Sequence, residues 1–112
     1  MSDLILSLKT ELRRGTLTLA VLSQLQEPQY GYSLVQRLEE NNIMIDQSTL
    51  YPLLRRLEKQ ELLTSQWDTS ENRPRKYYLL SEFGKEMFEE LKQEWFQTSM
   101  QLNSMLEGGD SK

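Results

Sequence analysis

Ser48, Thr49 and Tyr51 precede Arg55, Arg56 and Lys59 within "STLYPLLRRLEKQELL", a stretch whose other positions are largely leucine. Hydroxyls and guanidiniums at this spacing suit base edges and phosphate oxygens, not the making or breaking of covalent bonds. Leu50, Leu53, Leu54 and Leu57 recur at three- and four-residue intervals, so the segment is predicted to be a helix with one apolar stripe. The three cations fall mostly off that stripe. Burial requires none of them, whereas a helix in a nucleic-acid groove uses most. Ser48 and Thr49 are short enough to let the backbone come close to a base, and Tyr51 adds reach. Arg55, one turn after Tyr51, can meet a phosphate or a guanine edge, and Arg56 and Lys59 are expected on phosphates. Tyr32 and Arg37 lie on the preceding helix and its approach, where contacts to the nucleic-acid backbone are made.

A second cation set, Arg73, Arg75 and Lys76, stands at or beside a polar turn, with Pro74 between the arginines. A basic hairpin tip can settle in a minor groove through the phosphate field. Each set alone has a plainer explanation. Cations on a helix face are commonly just solvated, and Glu58 and Glu61 lie close enough to pair with some of them. The functional reading rests on finding both sets at the two places that a winged helix-turn-helix would use.

The elements that must position these residues follow from hydrophobic spacing. Leu4, Ile5, Leu8 and Leu12 predict a first helix, and Gly15 is expected to interrupt or bend the chain. Thr16 is then a cap for a second helix, "TLTLAVLSQLQ", apolar nearly all round and so central to the fold. "EPQYGYS" reads as a turn, and "SLVQRLEENN" as a helix ended by Asn41 and Asn42. Asp46 or Ser48 can cap the next helix, with Pro52 in or just beyond its first turn. "LLTSQWD" and "RKYYLL" read as two strands around "TSENRP", and a long helix runs from near Ser81 toward Leu106. The expected fold is mainly α with a small β-hairpin: an N-terminal helix (1–14), a winged helix-turn-helix (15–80), a C-terminal dimerisation helix (81–107) and a flexible tail (108–112).

Composition narrows the chemistry. The 112 residues contain no cysteine and no histidine, which removes disulfides, thiolate metal sites and the commonest general base. No cofactor or metal is expected, and the chain is not expected to be an enzyme. Glu86, Glu89, Glu90 and Glu94 are acids along one helix without a nucleophile beside them, so carboxylate hydrolysis is a weak reading. "LILSL" is too short to span a membrane and lacks signal-peptide flanks, which points to a soluble, cytoplasmic protein. The net charge of -4 is unevenly spread. Residues 1–80 hold ten Lys/Arg against ten Asp/Glu, while residues 81–112 hold three against seven, so the acidity lies in the C-terminal part.

"YGYSLVQRLEE", "STLYPLLRRLEKQELL" and "RPRKYYLLSEFGKE", in this order, closely resemble the PadR family of bacterial transcriptional regulators, over roughly residues 12–90. The single long C-terminal helix resembles the compact subfamily. The resemblance implies a homodimeric repressor that binds a palindromic operator in double-stranded DNA and leaves it when an effector binds. By motif match it assigns Ser48, Thr49, Tyr51 and Arg55 to the recognition helix and Arg73, Arg75 and Lys76 to the wing. Ser48 stands where glycine is common in the family. In compact members the C-terminal helix of one subunit packs on the N-terminal helix of the other.

The long helix supports pairing on its own account. Phe88, Leu91, Trp95, Leu102, Met105 and Leu106 fall near one face, Phe96 and Met100 are expected to broaden it, and Leu4 and Leu8 add a matching stripe. A small winged helix cannot cover so much apolar surface, but two chains about a twofold axis can. Some compact relatives place a tryptophan near the position of Trp95, where a flat aromatic compound stacks between subunits. The resemblance thus implies an aromatic effector site at Trp95, with Phe88 and Ala20 lining the same space; the alternative is that Trp95 simply fills the dimer core. For the protein as a whole, the competing reading is a winged-helix module that binds another protein instead of DNA.

Overall fold

A computed structural model of the chain describes residues 2–108. Of the expected tail 108–112, only Gly108 falls within the described residues. In chain order the elements are α1 (Ser2–Ser23), β1 (Gln29–Tyr30), α2 (Gly31–Glu40), α3 (Gln47–Lys59), β2 (Leu63–Asp68), β3 (Arg75–Leu80) and α4 (Glu82–Leu106). This is the mainly helical, winged-helix arrangement expected from the sequence, with two corrections.

The first correction concerns Gly15. It does not break the chain: α1 is one continuous helix of 22 residues. Glycine in a helix interior costs only about 1 kcal/mol relative to alanine, which the packing of the surrounding turns can offset. Thr16 is accordingly no cap, and its hydroxyl donates to the Arg13 carbonyl one turn back, at 3.0 Å. The second concerns "EPQYGYS", which is not only a turn. Gln29 and Tyr30 form a short strand that pairs antiparallel with Tyr78 and Tyr77 of β3, making a three-stranded sheet of order β1-β3-β2. Two residues are too few to show a period-two pattern.

The helix ends explain why the helix-turn-helix stops where it does. Asn42 and Glu61 both adopt left-handed backbone, with φ of 64° and 67°. In each case two amides fold back onto the last turn: Asn42 and Ile43 donate to the carbonyls of Glu39 and Leu38, Glu61 and Leu62 to those of Glu58 and Leu57. The orphan carbonyls of α2 and α3 are thereby satisfied by the same Schellman geometry. Asp46 starts α3 by accepting from the Thr49 amide at 3.0 Å.

The core gathers Val21, Leu22 and Leu25 from α1 and its end, Leu34 and Leu38 from α2, the four leucines of α3, Leu63, Tyr78 and Leu80 from the wing, and Phe88 from α4. Fully burying a leucine is worth about 1.5–3 kcal/mol. Ser81 joins α4 to this body. Its hydroxyl accepts from the Gly84 amide at 2.9 Å and donates to the Glu61 carbonyl at 2.7 Å. A side-chain carbon on Gly84 would lie 2.0 Å from the Leu62 carbonyl oxygen, so only glycine lets α4 sit against the turn that follows α3. Beyond this joint both long helices project. The radius of gyration is 16.6 Å, against about 13 Å for a compact domain near this size.

Candidate nucleic-acid interface

The 3.6-residue period divides the polar residues of α3 among three sides. Ser48, Arg55 and Lys59 point away from the buried leucines and are exposed, with Pro52 in the same row. Thr49 and Arg56 lean toward α1, where they line a hollow with Leu17 and Leu53. Tyr51 and Glu58 lean the other way, toward α2 and the wing. Among the described residues no ion pair engages Arg55, Arg56, Lys59 or Arg73. The neighbouring glutamates therefore leave these cations available, although Glu58 pairs with Lys76 at 3.5 Å.

The start of α3 is more occupied than its sequence implies. The Ser48 hydroxyl donates to Asp46 Oδ1 at 2.8 Å, beside the Thr49 amide. These donors, Ser48 first, hold the Asp46 carboxyl below its ordinary value. Tyr51 is half-buried, and its phenol covers Gly31 at the start of α2 so closely that a side-chain carbon there would lie 2.2 Å from its oxygen. Tyr51 thus packs the two helices together as well as standing at the edge of the exposed row.

The wing cations divide between opposite faces, because successive strand residues alternate. Lys76 lies opposite Trp67 in the β2–β3 ladder and turns toward α3. There it shares a shallow hollow with Arg55, Arg56, Glu58 and Lys59. Arg75 lies opposite Asp68 and turns toward α2. Its guanidinium sits 4.6 Å from the Tyr30 ring centre and donates to the Tyr32 hydroxyl at 3.1 Å. Arg73 stays exposed in the connecting turn. Arg37 reaches back to Gln24 at the end of α1, at 3.2 Å. The structure therefore brings Lys76 to the α3 cations and Arg75 to Tyr32, and leaves Arg73 alone at the tip.

Two residues that the sequence did not single out as site residues tie the wing to the approach of α2. The Tyr30 hydroxyl donates to Asp68 Oδ2 at 2.5 Å, and the Tyr30 ring stacks on Tyr32 with centres 5.8 Å apart. The bond from Tyr30, with those from Ser70, lowers the Asp68 carboxyl to about 2, and the same bond raises the Tyr30 phenol. The paired tyrosines of "YGY" are the only sequence signal for this latch, and their partner lies 38 residues away.

Away from this surface, Leu4, Leu8, Leu91, Trp95, Leu102, Met105 and Leu106 are all exposed. Trp95 lines a groove of about 280 Å³ between α1 and α4, together with Leu12, Gly15, Thr16, Leu19 and Leu91. Gly15 faces open space there, so its missing side chain widens the groove. Phe88 is buried in the core of the winged body instead, with the Lys92 ammonium 5.4 Å from its ring centre. Ala20 is half-buried against that same core. Phe96 and Met100 do not broaden the Trp95 face. They border a separate acidic hollow with Glu89 and Glu90, because a one-residue step turns a helix by about 100°.

The model of the transcriptional regulator PadR-like family matches residues 18–90, which contain α2, α3 and the whole wing. The chain belongs to this family. PadR-like proteins are DNA-binding transcriptional regulators and not enzymes, and the matched residues include α3 with its exposed polar row. The chain is similar over 99% of its length to a PadR family transcriptional regulator from Eggerthella lenta, at 43% identity and a TM-score of 0.85, covering 96% of that chain. A PadR-like transcriptional regulator from Bacillus cereus is 31% identical with a TM-score of 0.76, over 86% of this chain and 96% of its own. An uncharacterized protein of Lysinibacillus sphaericus is 31% identical over 105 residues, 89% of this chain and 96% of that one. Among the described residues no helix is long and apolar enough to cross a membrane.

Proposed function

We propose that this PadR-like regulator works as a homodimer that represses transcription in the cytoplasm by binding a palindromic operator, and that a small flat aromatic effector releases it. The observation that carries the DNA reading is the row of Ser48, Arg55 and Lys59 on the outer side of α3, flanked by Arg56 and Lys76 and free of carboxylate partners apart from Glu58 on Lys76. In this reading Ser48, Thr49 and Arg55 address base edges. Arg56, Lys59, Lys76 and Arg73 take phosphates, while Arg75 and Tyr32 act as one unit beside the turn of the wing. Tyr51 contributes through its packing on Gly31 as well as its hydroxyl, and Arg37 supports the crossing helix.

Residues 15–80 then form the DNA-binding body, and the Leu4 and Leu8 side of residues 1–14 forms the dimer seam with residues 81–107. The exposed stripes of Leu4 and Leu8 on α1 and of Leu91, Trp95, Leu102, Met105 and Leu106 on α4 support that pairing, since so much apolar surface is seldom left to water. A twofold dimer sets its two α3 helices on successive major grooves, about 34 Å apart. The Trp95 groove, widened by Gly15, supports an aromatic effector at that seam; Phe88 and Ala20 stand behind it as packing.

Gel-shift titration against DNA upstream of the protein's own gene tests the proposal. Binding is expected at low salt, to weaken steeply as salt rises, because cations on phosphates release counterions. No shift at low salt removes the operator reading and leaves the winged helix as a protein-binding module.

A further inference from the structure

α1 and α3 enclose a second hollow, on the side of α3 turned away from the wing. Its volume is about 450 Å³, and Leu17, Ile45, Pro52 and Leu53 supply its apolar surface. A further hollow of about 370 Å³ shares Arg13, Leu17 and Met44 and continues beneath residues 42–44. Each lies within the size range of small-molecule sites. The polar rim is cationic: Arg13, Arg14 and Arg56 border the first hollow, against the single carboxylate of Asp46. That carboxylate already accepts from Ser48 and from the Thr49 amide, and no ion pair engages any of the three arginines among the described residues. Thr10 and Thr18 spend their hydroxyl protons on the carbonyls of Leu6 and Arg14, so the guanidiniums, with the Thr49 hydroxyl beside them, are the donors left to a ligand.

We infer that this hollow is a binding site for amphipathic organic anions, an aromatic or aliphatic carboxylate whose apolar body lies on Leu17 and Leu53 and whose charge meets Arg13 and Arg14. The apolar floor distinguishes this ligand class from a bare phosphate, which gains nothing from leucine. The three guanidiniums distinguish it from a neutral aromatic, which leaves them unpaired. The site is separate from the Trp95 groove, which lies between α1 and α4 and has Glu94 on its edge. It does not depend on the operator reading, because the binding can be measured without DNA.

The test uses the full-length chain, with naphthoate as the probe, naphthylmethanol as its neutral counterpart and inorganic sulfate as the bare anion. Calorimetry should give saturable naphthoate binding, one per chain, tighter than either control. Nuclear magnetic resonance shifts should appear at Thr18, Met44, Ile45 and Leu53, with the Trp95 indole unmoved. Replacing Arg13→Gln and Arg14→Gln together removes charge from an exposed surface, and should weaken naphthoate by about tenfold or more while leaving naphthylmethanol little changed. Met44→Glu, at a residue that is 77% exposed, should weaken naphthoate by repulsion in a folded protein. Absence of saturable naphthoate binding overturns the inference. So does sulfate binding as tightly, affinity unmoved in the arginine variant, or shifts confined to Trp95.

Discussion

The winged body and the two projecting helices handle apolar residues in opposite ways. In the body, Leu22, Leu34, Leu50 and Leu54 are wholly buried, and the polar residues on the outer side of α3 form a cationic row. Along α1 and α4, leucines, methionines and Trp95 face outward, and Leu12 and Leu106 are 75% and 79% exposed. The change occurs within single helices. α1 is open before Thr16 and closed by Val21, while α4 is closed at Gly84 and Phe88 and open from Glu89 onward. A helix that crosses from closed to open belongs to two surfaces at once. The body is complete as one chain, and the arms, in the function proposed above, are completed by a second.

The sharpest break between the two regions is expected from Leu8→Glu combined with Leu102→Glu. The arms should fail to pair, so that sedimentation shows a single chain at micromolar concentration. Operator affinity should fall by about 10²–10⁴, the advantage lost when linked sites act singly. A folded winged body should survive, visible as unchanged far-ultraviolet dichroism per residue in the helices it retains. Leu22→Ala addresses the other region and should cost about 2–5 kcal/mol in urea unfolding, since it leaves a cavity among fully buried leucines. If it cost as little as a substitution at Leu12, the division drawn here would be wrong.

Smaller effects sharpen the polar side of the comparison. Lys59→Ala should lower the slope of log affinity against log salt by about 0.9, the value for one phosphate contact. Arg55→Ala should instead relax base preference at one operator position, at about 1–3 kcal/mol. The smallest effect concerns the latch. Asp68 has a folded value of about 2, held down first by the Tyr30 hydroxyl, so its contribution is complete above the ordinary carboxylate value near 3.8 and disappears as pH falls through about 2. The Tyr30 phenol is raised by the same bond, so its contribution is present below pH 10 and lost above it. Asp68→Ala should therefore destabilise the wing between those limits and approach the parent only below about pH 2, as amide exchange along β2 and β3 would show.

The sequence made the helical body legible because leucine spacing is local: α2, α3, both wing strands and the start of α4 at Ser81 could be placed from it. The exposed apolar stripes were legible for the same reason. Contacts across the chain were not. Nothing near Arg75 announces Tyr32, 43 residues earlier, and nothing near Tyr51 announces Gly31. Strand alternation, applied to "RPRKYY", does separate Arg75 from Lys76, and it is the one rule that would have split the wing cations in advance. Gly15 misled because a glycine has no local signature that separates a helix break from a tolerated place inside a continuous helix. Phe88 misled because the stripe on α4 runs without interruption from the core to solvent, and the point where the body ends is set by α1 and the wing.

The close seat of Gly84 on the Leu62 carbonyl has a mechanical consequence. It seats the root of α4 directly on the turn that follows α3, where the Ser81 hydroxyl also donates to the Glu61 carbonyl, so that a tilt of α4 is passed to that turn. α4 has 25 residues, which makes it a rod of about 37 Å, and swinging such a rod by about 5° carries its tip through about 3 Å. In the dimer proposed above, a small slip between partner arms would then be geared into a rotation of each winged body.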